Sequence, residues 1–87
     1  MKLPKNNALL NGAMLEAVET QLSNNDPPET RQTLDRLLAW GFTEKDAKQL
    51  IASAIFAESV EVLKYQTPFN HDRFVRFLNQ LPKQKFK

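Results

Sequence analysis

The apolar residues of the chain recur every three or four positions, which is the spacing of one face of an α-helix. No alternation of period two, the pattern of a half-buried strand, stands out anywhere in the sequence. The first segment with helical spacing has its apolar face at Leu10, Met14, Val18 and Leu22. This segment predicts a helix over about residues 8–23, which ends at the polar, proline-containing residues that follow.

The second and third predicted helices meet at a glycine. Asp26 is expected to cap the second helix, and Pro27 to occupy its first position, where no amide hydrogen is needed. Gly41 is expected to end it, because glycine adopts the left-handed conformation of a closing helix turn without a Cβ clash. Phe42 then lies where its side chain folds back onto Leu37.

The third helix is predicted to be the longest. It begins after the cap residue Thr43 and meets no helix breaker before Pro68, so it covers about residues 44–65. Its apolar residues fall on two nearly opposite faces. The first face holds Ala47, Leu50, Ile51, Ala54, Ile55, Val62 and Tyr65, and the second holds Phe56, Val60 and Leu63. A helix that is apolar on two sides is usually central to its domain or shared between subunits.

A fourth helix is predicted over about residues 71–81, with Asn70 as its cap and Pro82 directly after it. Phe69 and Phe74 are spaced to form a hydrophobic staple across its first turn.

The four segments together predict an all-α, compact four-helix domain with one long central helix and short antiparallel connections. The domain is expected to cover residues 1–82. Residues 83–87 are expected to form a flexible basic tail.

Composition narrows the functional classes. The 87 residues contain no cysteine, so neither a disulfide nor a thiolate metal site can form. The formal net charge of +2 is too small to indicate a polyanionic partner by itself. No apolar run approaches the roughly 20 residues of a membrane span, and the first residues lack the apolar stretch of a signal peptide. We therefore expect a cytoplasmic protein with no membrane partner.

Catalytic motifs are missing from the sequence. It contains no Gly-rich phosphate loop, no arguable Ser-His-Asp arrangement and no pair of histidines at metal-ligand spacing. Its single histidine, His71, lies beside Asp72 and is expected to be a surface residue. The sequence therefore predicts no catalytic residue, no metal ligand and no cofactor, and we do not expect an enzyme.

Glu58 is the acid that the apolar pattern singles out, because it lies within the first apolar face of the third helix. A buried carboxylate must pair, hydrogen-bond or protonate. One interpretation makes Glu58 a pocket acid or a metal ligand, with Glu61 as its neighbour. The favoured interpretation is that the end of the helix rises out of the core, so that Glu58 reaches water or a basic partner.

The corner sequence Trp-Gly-Phe-Thr-Glu-Lys-Asp-Ala, residues 40–47, resembles the ligand-binding loop of ubiquitin-associated domains. The likeness is local, and the helix predicted after it is longer than the short second helix of those three-helix domains. We therefore interpret the stretch as a helical corner. Phe42 is expected to pack in the seam between the second and third helices, and Trp40 is expected either to plug that seam or to contact a partner.

A broader resemblance covers about residues 14–64, which resemble a family of small, uncharacterised bacterial all-helical proteins. The residues that carry it are Glu19, Gln21, Leu22, Pro27, Pro28, Arg36, Leu37, Gly41, Ala47 and Ile51. The resemblance implies an all-helical fold and supplies no established activity. Many such sequences carry histidines at the positions of Leu15, Lys45 and Gln49, so any metal function of the family is in doubt for this chain.

The leading functional prediction is a non-enzymatic protein–protein interaction module that associates as a homodimer, because a chain this small cannot cover both faces of its third helix. The candidate contact residues are Trp40, Phe56, Val60, Leu63 and Phe77. The alternative prediction is a weak nucleic-acid binder that uses the basic C-terminal helix and tail. Its candidate contacts are Arg73, Arg76, Lys83 and Lys85.

Overall fold

Four α-helices follow one another in the computed structural model of the protein, which describes residues 7–82 and, for side chains, residues 12–82. They are α1 (Asn7–Asn24), α2 (Pro28–Ala39), α3 (Glu44–Tyr65) and α4 (His71–Asn79). Short connections join them, and the predicted all-α, four-helix domain is confirmed. The predicted tail, residues 83–87, lies outside the described residues.

The start of α2 differs from the prediction. Pro27 is the N-cap residue in an extended conformation, Pro28 occupies the first turn, and no side chain caps the helix. The predicted cap at Asp26 is therefore wrong. A residue that precedes a proline is driven out of the helical region, so Pro28 keeps Pro27 extended and shifts the helix start by one residue.

The corner between α2 and α3 is a helix-closing motif with glycine at its centre. Gly41 has a φ of +102°, its amide donates to the carbonyl of Leu38 at 3.0 Å, and the amide of Phe42 donates to that of Leu37 at 3.1 Å. This pair of bonds defines a Schellman motif. The half-buried Phe42 side chain packs against the core, as predicted. Thr43 then caps α3 by accepting a hydrogen bond from the amide of Asp46 at 3.1 Å.

The long helix α3 is central, because α1, α2 and α4 each pack against it. Among the described residues, α1 and α4 share no contact, so α4 rests on α2 and α3 alone. The core is built from the buried side chains of Val18, Leu34, Leu37, Ala47, Ile51, Ala52, Ala54, Ile55, Phe74, Leu78 and Leu81. No helix within residues 7–82 is both long and apolar enough to cross a bilayer.

The last helix, α4, begins as predicted and ends earlier. Asn70 caps it by accepting a hydrogen bond from the amide of Arg73 at 2.9 Å. The rings of Phe69 and Phe74 lie 5.2 Å apart, which forms the predicted staple. The helix ends at Asn79 rather than at Leu81, because its last turn tightens to bonds between residues three apart before Pro82.

Candidate interaction surface

The outer face of α3 carries an apolar strip that stays exposed among the side chains the structure describes, residues 12–82. We name it the α3 outer strip and define it by Phe56, Val60 and Leu63, whose exposed fractions are 47%, 41% and 78%. Their spacing of four and three residues places them on one face of the helix over two turns. The opposite face of α3 is buried in the core. Within the described residues, α3 therefore has a second apolar face that is open to solvent.

The α3 outer strip occupies only the C-terminal half of the outer face of α3. Toward the N-terminus of α3, the same helical face continues through Ser53, Gln49 and Lys45, which are polar and reach solvent to different degrees. The apolar surface is therefore bounded at one end by polar residues, as expected for a contact patch rather than for a helix that is apolar throughout.

Two other candidate contact residues lie elsewhere. Trp40 is 61% exposed, so it does not plug the seam between α2 and α3. Its ring instead faces the guanidinium of Arg36, whose central carbon lies 5.6 Å from the ring centre. Phe77 is half-buried and packs against the core, so it does not extend the α3 outer strip.

Glu58 is completely buried and is bound by three donors from the start of α4. Arg73 donates from Nε to Oε1 at 2.6 Å and from Nη2 to Oε2 at 2.8 Å, and the amide of Asn70 donates to Oε2 at 2.7 Å. Hydrogen bonds from Arg73 hold the pKa of the Glu58 carboxyl below its ordinary value, although burial acts in the opposite direction. The ionised acid is therefore a structural anchor for α4.

This pairing decides between the interpretations of Glu58. The carboxylate binds a basic partner, which the favoured interpretation allowed, but α3 does not rise out of the core at this position and Glu58 does not reach water, so that part of the interpretation is wrong. No group of three or more metal-ligating side chains exists within the described part of the chain, and Glu58 does not join Glu61 in one. Both Glu58 oxygens are occupied, so the acid has little capacity left for a ligand.

The same pairing removes Arg73 from the candidate nucleic-acid contacts, because its guanidinium is bound to Glu58. Arg76 is exposed on α4. Lys83 and Lys85 lie outside the described residues. Arg73, one of the four predicted nucleic-acid contacts, therefore has a structural role instead.

Arg36 has a structural role that the sequence reasoning missed. Its Nη1 and Nη2 donate to the carbonyls of Leu81 and Leu78, each at 2.9 Å, and so close the C-terminal end of α4. Basic residues favour helix C-termini. That rule applies along one helix, however, whereas Arg36 lies on α2, more than forty positions away in sequence. No local pattern could have assigned this contact.

A polar surface cavity of about 300 Å³ lies where α1, α2 and α3 meet. On its wall, the ammonium of Lys48 lies 2.7 Å from Glu19 and 2.9 Å from Glu44. Hydrogen bonds to Glu19 and Glu44 raise the pKa of Lys48. Because the Lys48 ammonium binds a carboxylate of α1 and another of its own helix, the cavity wall is a structural junction between α1 and α3.

His71 lies at the surface, with its side chain 53% exposed. Its Nε2 lies 3.2 Å from Oε1 of Glu29, and the hydrogen bond between them raises the pKa of His71. The contact joins the first residue of α4 to the first turn of α2.

Comparison of the chain with protein-family models, with curated proteins and with solved structures finds no match. The two resemblances drawn from the sequence therefore stay predictions, and the function is argued from this chain's own surfaces.

Proposed function

We propose that the protein is a non-enzymatic protein–protein interaction module that associates with a second copy of itself through the α3 outer strip. The observation that carries the proposal is the exposure of Phe56, Val60 and Leu63 on one face of a helix whose opposite face already forms the core.

The spacing of the strip suits a helix–helix contact. Side chains at positions i, i+4 and i+7 form the apolar seam along which two helices pack in coiled-coil contacts. A second copy supplies the same ridge, and a two-fold axis near Val60, the middle residue of the strip, would bring Phe56 of one copy toward Leu63 of the other. The same short patch on each subunit then forms both halves of the interface.

The environment of Glu58 supports a non-enzymatic role. Glu58 is buried and bound by three donors, so its oxygens are held away from any substrate. A general acid or base needs to be within hydrogen-bond reach of the group on which it acts, and this arrangement does not favour that.

Sedimentation of the wild-type protein and of two variants tests the proposal. We expect the wild type to shift from monomer to dimer as concentration rises. Leu63→Glu should raise the dimer dissociation constant by at least about tenfold, because each dimer then buries two carboxylates among apolar side chains. Its folding should be nearly unaffected, since Leu63 is 78% exposed.

Leu38→Glu is the matched control, because Leu38 is also an exposed leucine, 39% accessible, but lies on α2. This variant should dimerise like the wild type. A wild-type chain that stays monomeric at the highest concentration, or two variants with equal effects, would contradict the proposal.

A further inference from the structure

The helix α4 depends on its surroundings for its structure. It has nine residues, which is too short for an isolated helix to be stable in water. Its apolar face is completely buried at Phe74 and Leu78, and Leu81 just beyond it is 4% exposed. These residues pack on α2 and α3. The helix is therefore stabilised by the groove that receives it, in the manner of a peptide helix bound in an apolar groove.

The groove carries opposite charges at its two ends. Glu58 of α3 binds the amide of Asn70 and the side chain of Arg73 at the N-terminal end of α4. Arg36 of α2 binds the carbonyls of Leu78 and Leu81 at the other end. A helix is electropositive at its N-terminus and electronegative at its C-terminus. The groove thus selects one direction of the bound helix as well as its apolar side chains.

The segment that joins α3 to α4 is exposed and is held by hydrogen bonds at its two ends. All five residues from 66 to 70 are exposed. The amides of Gln66 and Thr67 donate back to the carbonyl of Val62, so the first part of the segment closes α3. Because α1 does not contact α4 in the described structure, the packing of α1, α2 and α3 against one another does not pass through α4.

We propose that the groove between α2 and α3 is a helix-binding site of fixed direction, and that α4 of a second copy of the chain can occupy it in place of the chain's own α4. The exchanged helix would re-form the same contacts with Glu58 and Arg36 in the partner. Such an exchange adds no new type of contact and is a low-cost route to a dimer. It uses a surface other than the α3 outer strip.

The short connection between α3 and α4 determines under which conditions the helix exchange can be detected. A short tether gives the chain's own α4 an effective concentration on the order of millimolar at its groove, so the intramolecular arrangement dominates in dilute wild-type protein. An experiment must therefore weaken the contact between positions 58 and 73 within one chain. A favourable contact between the same two positions on different chains must stay available.

Two full-length charge-reversal variants meet that requirement. Glu58→Arg faces the native Arg73 within its own chain, and Arg73→Glu faces the native Glu58, so each variant alone sets like charges against each other. In a mixed dimer with exchanged helices, Arg at position 58 meets Glu at position 73, and the other groove regains the native Glu58–Arg73 pair. Like charges are thus replaced by opposite charges in both grooves.

We expect each variant alone to be strongly destabilised and the equimolar mixture to form a folded one-to-one heterodimer in sedimentation and thermal unfolding. The double variant Glu58→Arg with Arg73→Glu in one chain is the control and should be more stable than either single variant, although it loses the acceptor for the amide of Asn70 and is less stable than the wild type. Adding Leu63→Glu to both chains should leave the heterodimer intact, which separates this interface from the α3 outer strip. The proposal is overturned if the double variant folds but the mixture shows only the sedimentation and thermal unfolding of its two separate components.

Hydrogen exchange of the wild-type protein provides a second measurement that needs no charge reversal. The amides of α4 should exchange as a group at least about tenfold faster than the best-protected amides of α3, because α4 opens while α1, α2 and α3 stay packed. Exchange of α4 only together with the whole domain, beside a mixture that forms no heterodimer, would overturn the proposal.

Discussion

Replacing Glu58 by glutamine tests how much one buried ion pair contributes to the stability of this small domain. The substitution keeps the shape of the side chain but removes the negative charge that two bonds from Arg73 and one from the amide of Asn70 now satisfy. Removing one partner of a buried pair costs about 3–5 kcal/mol, because the remaining charge is left uncompensated. The Arg73 side chain retains 21% exposure, which places the expected loss near the lower end, at about 3 kcal/mol.

Urea unfolding followed by circular dichroism measures this loss. A domain of this size has a total stability of roughly 5 kcal/mol or a little more, so the variant should keep less than half of it. The dependence of the unfolding free energy on urea concentration should be unchanged at about 1 kcal/mol per molar, so the unfolding midpoint should fall by about 3 M.

Two comparisons make the result specific to the pair. Glu61→Gln removes a carboxylate from the same helix and should change the free energy of unfolding by less than about 0.5 kcal/mol. Replacing both Glu58 and Arg73 by leucine should cost far less than Glu58→Gln alone, since apolar residues of similar volume often substitute for a buried pair. A Glu58→Gln midpoint equal to that of the wild type would refute the reasoning.

Two further predictions concern acid and the helix corner. The folded-state pKa of Glu58 lies below its ordinary value of 4.5, so the pair stabilises the fold above that value and the stabilisation is lost as the pH falls through the folded-state pKa. In urea titrations, the free energies of unfolding of the wild type and of Glu58→Gln should therefore converge below pH 4.5. A difference between them that stays constant with pH would contradict the link between the pKa of Glu58 and stability. Gly41→Ala should cost about 1 kcal/mol, because φ is +102° there, although an added Cβ meets no atom within 4 Å. Gly12→Ala, in the interior of α1, should instead stabilise the domain by roughly 0.5–1 kcal/mol. If the two substitutions shift the thermal unfolding midpoint in the same direction, the argument from backbone conformation is contradicted.

Local signals predicted most of the helix boundaries. Thr43 and Asn70 cap their helices as expected, because an N-cap depends on residues within a single turn. The predicted closure at Gly41 is confirmed for the same reason. Asp26 failed as a cap because the effect of a second proline on the first outweighed a favourable cap residue.

Contacts between helices could not be read from local spacing. The sequence identified Glu58 as an acid within an apolar face, but its partner Arg73 lies fifteen positions away on another helix. Arg36 gave no signal at all, since its acceptors are backbone carbonyls more than forty positions away. The second apolar face of α3 was visible because it needs only helical periodicity, and its exposure follows from how few helices the chain has to cover it.

The position of Trp40 gives the protein an intrinsic optical reporter. It is the single tryptophan of the chain, and its ring faces the guanidinium of Arg36, which also holds the end of α4. Release of α4 frees that guanidinium from its two carbonyl acceptors and changes the electrostatic environment of the indole. We therefore expect the tryptophan fluorescence of the unlabelled protein to change when its last helix undocks.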